Sequence, residues 1–461
     1  MGDGQHSAKA ARLFVRHALT TNYNDLSADA LAQAKVFILD TFGVGIAGST
    51  AYGADELAAA SAGWGSGDEA TLWGRQGRAP APTAALLNAF QVHCQEYDCV
   101  HEGAVLHPMA GVLPALMAYA DRAGGVSGRD LLTAVAVGVD IASGIGVASK
   151  SAMRFFRPAT AGGFGATVAL GRLMGMDEDM LVSALGVQYA QVSGTLQPHV
   201  EGAATLPLQV GVNSRAALQS VDLSRAGLTG PEDVFEGVYG YFRLFEGEWD
   251  LPPVLESFGK VWRIAEVSHK PYPAGRATHA GVEGIIRLRQ QRPFTLDELD
   301  SITIVGPPVT ARLCSRPDIP NPAPNYARLC MSFIGAKVLL NGTIDLADYR
   351  GDALTDPETH RIAQRIRMIA DDNPDPNALL PVTVTIVLTN GETLEWRCEA
   401  MLASPSRRLT REQHLTKFRR CCDFAHAPIG KRQQDALIEA VDNLEHLSDV
   451  ESLSRLLSPR A

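Results

Sequence analysis

The chain has 461 residues, 46% of them hydrophobic and 20% charged, with a net charge of −10. At roughly 150 residues per domain this predicts two or three domains, and the composition excludes a disordered, collagen-like or small disulfide-stapled chain. The negative balance argues against a nucleic-acid binder, which needs a basic face to release counterions, but leaves anionic ligands open, because a site needs only a few local cations.

The first ~265 residues read as helix after helix. Ser27 is an expected N-cap, followed by Leu31, Ala34, Ile38 and Phe42 at helical spacing. Further helices are expected within 82–104, 112–120, 131–147, 159–173, 180–193 and 211–226, with almost no β-alternation among them. The pattern changes near residue 267. Residues 300–305 (DSITIV) and 382–388 (VTVTIVL) alternate, and Asn390-Gly391 between the latter and 393–398 predicts a hairpin. Thr295 to Glu298 matches a capping box and Asp356-Pro357 a helix start. After Ser404-Pro405-Ser406 the pattern is helical again, over 433–444 and 450–457. The expected architecture is therefore mainly α: a large all-helical domain from both chain ends (1–266 plus 406–461), with an inserted smaller α+β lid domain (267–405).

The seven cysteines (Cys94, Cys99, Cys314, Cys330, Cys398, Cys421, Cys422) are odd in number and form no Cys-x-x-Cys pair. Reduced thiols in a cytoplasmic protein are the expectation. No run reaches ~18 uninterrupted apolar residues, so no membrane span is expected, and no secretory signal pattern opens the chain. Gly43-Val44-Gly45-Ile46-Ala47-Gly48 matches the dinucleotide-binding fingerprint, but it follows a helical run rather than a strand, so the glycines are read as helix packing. The histidines do not fall at zinc-ligand spacing, and no metal site is expected.

Three stretches carry chemistry. Residues 93–108 hold His93, His101 and His107 with Glu96, Asp98 and Glu102, between apolar helices. Titratable groups gathered there need compensation, which suggests a site, although a polar connector with capping duties would look the same. Residues 268–279 offer His269, Lys270, Tyr272, Arg276 and His279 at the expected domain boundary, which suits one half of an anion site or a proline-stiffened hinge. Residues 154–165 place Arg154 and Arg157 before Gly162, Gly163 and Gly165, whose N–H groups suit a carboxylate if they open a helix, or close packing if they do not.

These residues resemble the MmgE/PrpD family. Ile38 to Gly43 is similar to its early LDTLG helix. Glu96 to Gly103, with His107-Pro108, resembles its D-x-D-D-T-H-x-G…HP segment, and Phe156 to Ala166 resembles HPTGTxGxxGA. Ala226 to Pro231, then Phe235-Glu236-Gly237, resembles xGxTGP, and Lys270-Pro271-Tyr272-Pro273 resembles K-x-YP. The resemblance implies a helical domain with a lid, a homodimer, and no metal or organic cofactor. It also implies a small polycarboxylate substrate bound between body and lid.

What the resemblance implies chemically is abstraction of a proton α to a carboxylate, with Asp98, His101 and His107 on the acid/base side and Lys270 as a further catalytic group. Arg157, Glu96, Tyr272, Arg276, His279 and Tyr326 are the candidate substrate-binding residues. A 2-methylcitrate dehydratase-like lyase is the first expectation. An epimerase of the iminodisuccinate type, a cis-aconitate decarboxylase-like enzyme, or an inactive homologue that binds a small acid are the alternatives. The family's pattern is broken at four places: Cys99 replaces an Asp, Val100 a Thr, Arg157 a His and Leu206 a Lys. The last two remove site groups of the dehydratase and decarboxylase, which points to a divergent substrate.

Overall fold

The computed structural model describes residues 4–459, and with 57% helix and 8% strand it is mainly α. Ten helices come first: α1 (Gly4–Thr20), α2 (Ala28–Gly48), α3 (Ala54–Ala62), α4 (Ala81–His93), α5 (Pro108–Ala123), α6 (Gly128–Ala148), α7 (Arg157–Leu173), α8 (Glu178–Tyr189), α9 (Gln197–Glu201) and α10 (Thr205–Arg225). Ser27, Ser127 and Asp177 cap α2, α6 and α8 by accepting from the N–H three residues on. Proline stands in the first turn of α4, α5 and α7, where its missing N–H costs nothing.

Helices α4, α5, α6, α7 and α10 pack on one another as the core. From Leu131 to Gly146 every residue of α6 is buried, as expected for a helix apolar all round. Its apolar window is 94% buried and that of α2 72% buried, so these two helices, long and apolar enough to cross a membrane, belong to the core. The glycine fingerprint lies inside α2. A Cβ on Gly48 would meet the Gln91 carbonyl oxygen at 1.9 Å, so this glycine lets α4 approach α2 and holds no phosphate. Gly162, Gly163 and Gly165 likewise lie within α7 rather than at its start, so of the two readings open for them free N–H groups fall away and close packing remains.

A two-stranded pair, β1 (Ala70–Thr71) and β2 (Arg78–Ala79), interrupts the helices. Strands of two residues are too short to show alternation in sequence. Helix α11 (Pro252–Ser257) leads to a segment with α12 (His279–Gln291), β3 (Leu299–Gly306), α13 (Pro308–Cys314), α14 (Pro324–Ala327), α15 (Met331–Asn341), α16 (Pro357–Ala363), β4 (Ile366–Ala370), β5 (Val382–Leu388) and β6 (Thr393–Cys398). Its sheet runs β4-β3-β5-β6, with β3 parallel to β4 and the other pairs antiparallel. The Asn390-Gly391 turn joins β5 to β6, with Gly391 at φ 87°. Only half of the capping-box pattern at Thr295 forms: Thr295 N–H donates to Glu298 Oε2 at 2.8 Å, but Glu298 N–H goes to the Thr295 carbonyl at 3.2 Å rather than to its hydroxyl, and the pair closes a turn before β3 and starts no helix. Strand β4 escaped the sequence reading.

The chain then closes with α17 (Arg411–Cys422), α18 (Lys431–Asp442) and α19 (Glu451–Leu457). Helices α17 and α18 pack on α2, and α19 packs on α5, so the C-terminal helices rejoin the N-terminal ones.

Candidate active site

The loop between α4 and α5 builds the site. Two of its non-glycine residues adopt left-handed backbone, Glu96 at φ 50° and Val105 at φ 48°. A β-branched residue there is a strained outlier, and strain of this kind persists only where the surroundings impose it. The loop is tied to the later segment by a reciprocal pair: Val100 N–H donates to Ser268 O at 3.0 Å and Ser268 N–H to Val100 O at 2.8 Å. That pairing brings Lys270 to the loop. Its ammonium donates to Glu96 Oε2 at 2.7 Å and to the Glu96 carbonyl at 3.1 Å.

Asp98 lies buried between two imidazoles. His93, the last residue of α4, places Nδ1 3.0 Å from Asp98 Oδ2. His107, preceding α5, places Nδ1 3.1 Å from the same oxygen, though off the hydrogen-bonding direction. Burial opposes ionisation of Asp98, but the charges of His107 and His93 with the hydrogen bond from His93 outweigh it and hold its carboxyl well below the usual range. Burial likewise opposes ionisation of Glu96, and Lys270 with both imidazoles more than offsets it, bringing Glu96 to about 2. His93 is raised, because Asp98 and Glu96 together outweigh its burial. His107 is lowered, chiefly by burial, with Asp98 as a partial counterweight. The result is an ionised Asp98 behind a neutral His107.

His107 and Glu96 face a narrow cavity. The opposite walls come from Phe156 and Pro158 beside α7, His199 of α9, and Arg276, Leu313 and Leu329 of the later segment. Of the ten candidates, Glu96, His107 and Arg276 line this cavity, and Asp98 and Lys270 stand directly behind the first two.

The other five do not line it, and their bonds say why. His101 turns away: its Nε2 lies 3.1 Å from Glu266 and its Nδ1 accepts from Ala104 N–H, so it caps a short turn. Arg157 is fully buried and gripped by Glu246 through two bonds of 3.0 and 2.8 Å, with a third to Ala104 O. It therefore has no fork left for a substrate carboxylate. His279 is fixed between Arg276 and the Ala274 carbonyl, with Tyr272 edge-on to its ring. Tyr326 donates to Pro317 O at 2.7 Å, and its ring lies under the Arg316 guanidinium.

Two site residues were not singled out from sequence. His93 is in the dense stretch, but only the return of the loop shows that it shares Asp98 with His107. His199 follows Pro198 in a segment without a motif. Burial, reinforced by Arg316, lowers it to about 4, so it is neutral. Arg316 Nη2 stands 3.3 Å from its Nδ1, which leaves the ring proton on Nε2.

Two groups have donor atoms close enough to share a metal ion: His93, Asp98 and His107, and, outside the cavity, Asp40, His269 and His414. Each draws on separate elements, so spacing in sequence could not reveal it. In the second group Lys417 already neutralises Asp40 at 2.7 Å.

The chain is similar to cis-aconitate decarboxylase of Mus musculus, at 27% identity over 96% of this chain and 91% of that one. It is similar to the cis-aconitate decarboxylase-like protein oryM of Aspergillus oryzae, at 26% over 94% of each. A cis-aconitate decarboxylase of Aspergillus terreus is 24% identical over 94% of this chain and 93% of that one. The MmgE/PrpD N-terminal domain matches residues 12–253 and the MmgE/PrpD C-terminal domain residues 272–446, so nearly the whole chain is covered and it belongs to the MmgE/PrpD family.

Proposed function

We propose that the chain is a lyase, of dehydratase or decarboxylase type, that moves a proton at the carbon α to a carboxylate without a cofactor. The observation that carries this reading is the neutral, cavity-lining His107 backed by the ionised Asp98. A base for such a weak carbon acid needs to be unprotonated, within ~3 Å of the proton, and stabilised once it becomes a cation. Asp98 supplies that last requirement. Lys270 provides fixed positive charge beside the developing enediolate, where a preorganised charge acts most strongly.

The balance of the two outcomes is simple. In dehydration the α C–H bond breaks to His107, the electron pair forms the C=C bond, and the β C–O bond breaks, the hydroxyl leaving as water with the proton handed back by the His107 imidazolium. In decarboxylation a C–C bond to a carboxylate breaks, CO₂ departs, and the electron pair is protonated at carbon. The names of the relatives weigh toward decarboxylation, and the withdrawn Arg157 weighs toward a substrate unlike theirs. The reading includes residues 267–405 as a lid over the cavity, and a cytoplasmic homodimer.

The test is proton NMR in D₂O with citrate, 2-methylcitrate, cis-aconitate, malate and iminodisuccinate. Deuterium entering next to a carboxylate, abolished in His107→Asn, supports the reading, and the product separates dehydration from decarboxylation or epimerisation. Turnover at the wild-type rate in His107→Asn overturns it.

A further inference from the structure

We infer that Asp40, His269 and His414 form a separate site for one divalent transition-metal cation of the zinc type, outside the catalytic cavity. The inference stands apart from the lyase reading, because none of the three residues lines that cavity.

The three residues come from three parts of the chain that no sequence motif spans. Asp40 stands on α2 and His414 on α17, which packs on α2. His269 lies between Ser268 and Lys270, the two residues that bind the loop after α4. Its own N–H donates to Ala403 O at 3.0 Å, which fixes its backbone. All three side chains are buried, with Asp40 and His414 2% exposed and His269 5% exposed. Each offers one donor atom, and these atoms all lie within 4.8 Å of one another. Modest side-chain rotation brings them to the ~2.0–2.2 Å that zinc keeps to imidazole nitrogen and carboxylate oxygen.

Hydrogen bonding within the protein leaves this cluster unfinished. Four of its buried atoms have no partner among the described residues: Asp40 Oδ2, His269 Nε2 and both ring nitrogens of His414. A neutral imidazole needs a donor for one nitrogen and an acceptor for the other, and a protonated one needs two acceptors. His414 has neither, whatever its protonation state. Buried polar atoms are seldom left bare, because desolvation without a partner is costly. A cation held by lone pairs from three sides satisfies all three residues at once. A bridging water is the competing occupant, and it would leave every metal assay blank.

Lys417 does not close the site. Its ammonium lies 2.7 Å from Asp40 Oδ1, donates to Tyr97 O at 2.8 Å and sits 4.1 Å from the centre of the Tyr97 ring. Those contacts hold it on one side of the carboxylate and leave Oδ2 to the ion. Its charge opposes the ion's, so it lowers the affinity without blocking the position. Two imidazoles and a carboxylate are the donor set of a zinc-type cation, whereas magnesium and calcium favour all-oxygen shells. The Phe37 ring, 4.8 Å from that of His269 between centroids, gives the site an apolar wall. Bound there, the ion clamps the segment that leads into α12 onto α2 and α17.

The experiment uses the full-length protein expressed in zinc-supplemented medium, so that the ion can enter as the chain folds, and passed over a chelating resin to remove loosely held metal. Metal content is read by plasma mass spectrometry and the ligand shell by zinc X-ray absorption. The expected result is about one zinc per chain, bound by two imidazoles and oxygen without sulfur. His414→Gln should retain at least about tenfold less zinc, while His107→Asn, which alters the other histidine cluster, retains as much as the wild type. The thermal transition of the wild type should lie higher after zinc-supplemented than after zinc-depleted growth, and that difference should vanish in His414→Gln. A wild type without zinc overturns the inference. So does zinc that stays in His414→Gln, zinc that is lost in His107→Asn, or sulfur in the ligand shell. Should His414→Gln fail to fold, the wild-type absorption spectrum and the zinc content of His107→Asn decide the question.

Discussion

Lys270 and Glu96 are 174 residues apart in the chain, yet the ammonium of one donates to the carboxylate of the other at 2.7 Å, with both side chains buried. This contact joins the strained loop after α4 to the segment that leads into α12. It fixes the position of positive charge beside His107, and it ties the stability of the site to pH.

Glu96 is depressed to about 2, against about 4.3 for an unfolded Glu. A depressed carboxylate contributes stability that is present above the unfolded pKa and lost as pH falls through the folded one. Denaturant titrations between pH 7 and 2 should therefore show stability falling below about pH 4.5, with Glu96 contributing on the order of 3 kcal/mol. In Lys270→Met that contribution shrinks. An unchanged pH profile in the variant would show that the pair is not what lowers Glu96.

His107→Asn should reduce turnover by about 10²- to 10⁴-fold, the usual contribution of a general base. Because the His107 pKa is lowered in the fold, the acid limb of kcat/KM should lie below 6.5, the ordinary imidazole value. Asp98 pulls that pKa upward, so Asp98→Asn should lose activity and also move the acid limb to lower pH. A limb that moves upward would contradict the arrangement.

Arg157 and Glu246 are a structural pair. Glu246→Gln leaves a buried guanidinium without its counter-charge and also disturbs Tyr241, whose hydroxyl donates to Glu246 at 3.0 Å. The expected loss in a denaturant titration is about 3–5 kcal/mol. The double variant Arg157→Met/Glu246→Leu should recover part of it and keep the KM of the wild type. A raised KM in the double variant would return Arg157 to the substrate.

Gly48→Ala should destabilise by about 1–3 kcal/mol, the range for overpacking, because the new Cβ would meet the Gln91 carbonyl. Thermal unfolding measures it. Adding NAD should shift the transition of neither protein, since Gly43 packs against α17, Gly45 against Trp73 and Val92, and Gly48 against Gln91 of α4, and none faces a phosphate.

Much of this was legible in sequence, for local reasons. Ser27 and Ser127 cap helices through bonds three residues long, and Asn390-Gly391 turns a hairpin by backbone preference alone. Glu96, His107 and Lys270 stand in short motifs. What was not legible depends on tertiary partners. The charge of Arg157 was visible, but its capture by Glu246, 89 residues later, was not. His101 looked like an acid/base residue until Glu266 and Ala104 N–H engaged its ring. His199 reaches the cavity only because α9 is held against it, and no local pattern marks that position.

The central claim is that His107, backed by Asp98, moves a proton next to a carboxylate. Proton NMR in D₂O, run on the wild type, His107→Asn and Lys270→Ala with both mono- and tricarboxylates, tests it most directly. The account predicts deuterium at the α-carbon with the wild type and none with either variant. A decarboxylation product with no solvent deuterium at the newly protonated carbon, or exchange at the wild-type rate in His107→Asn, would contradict it.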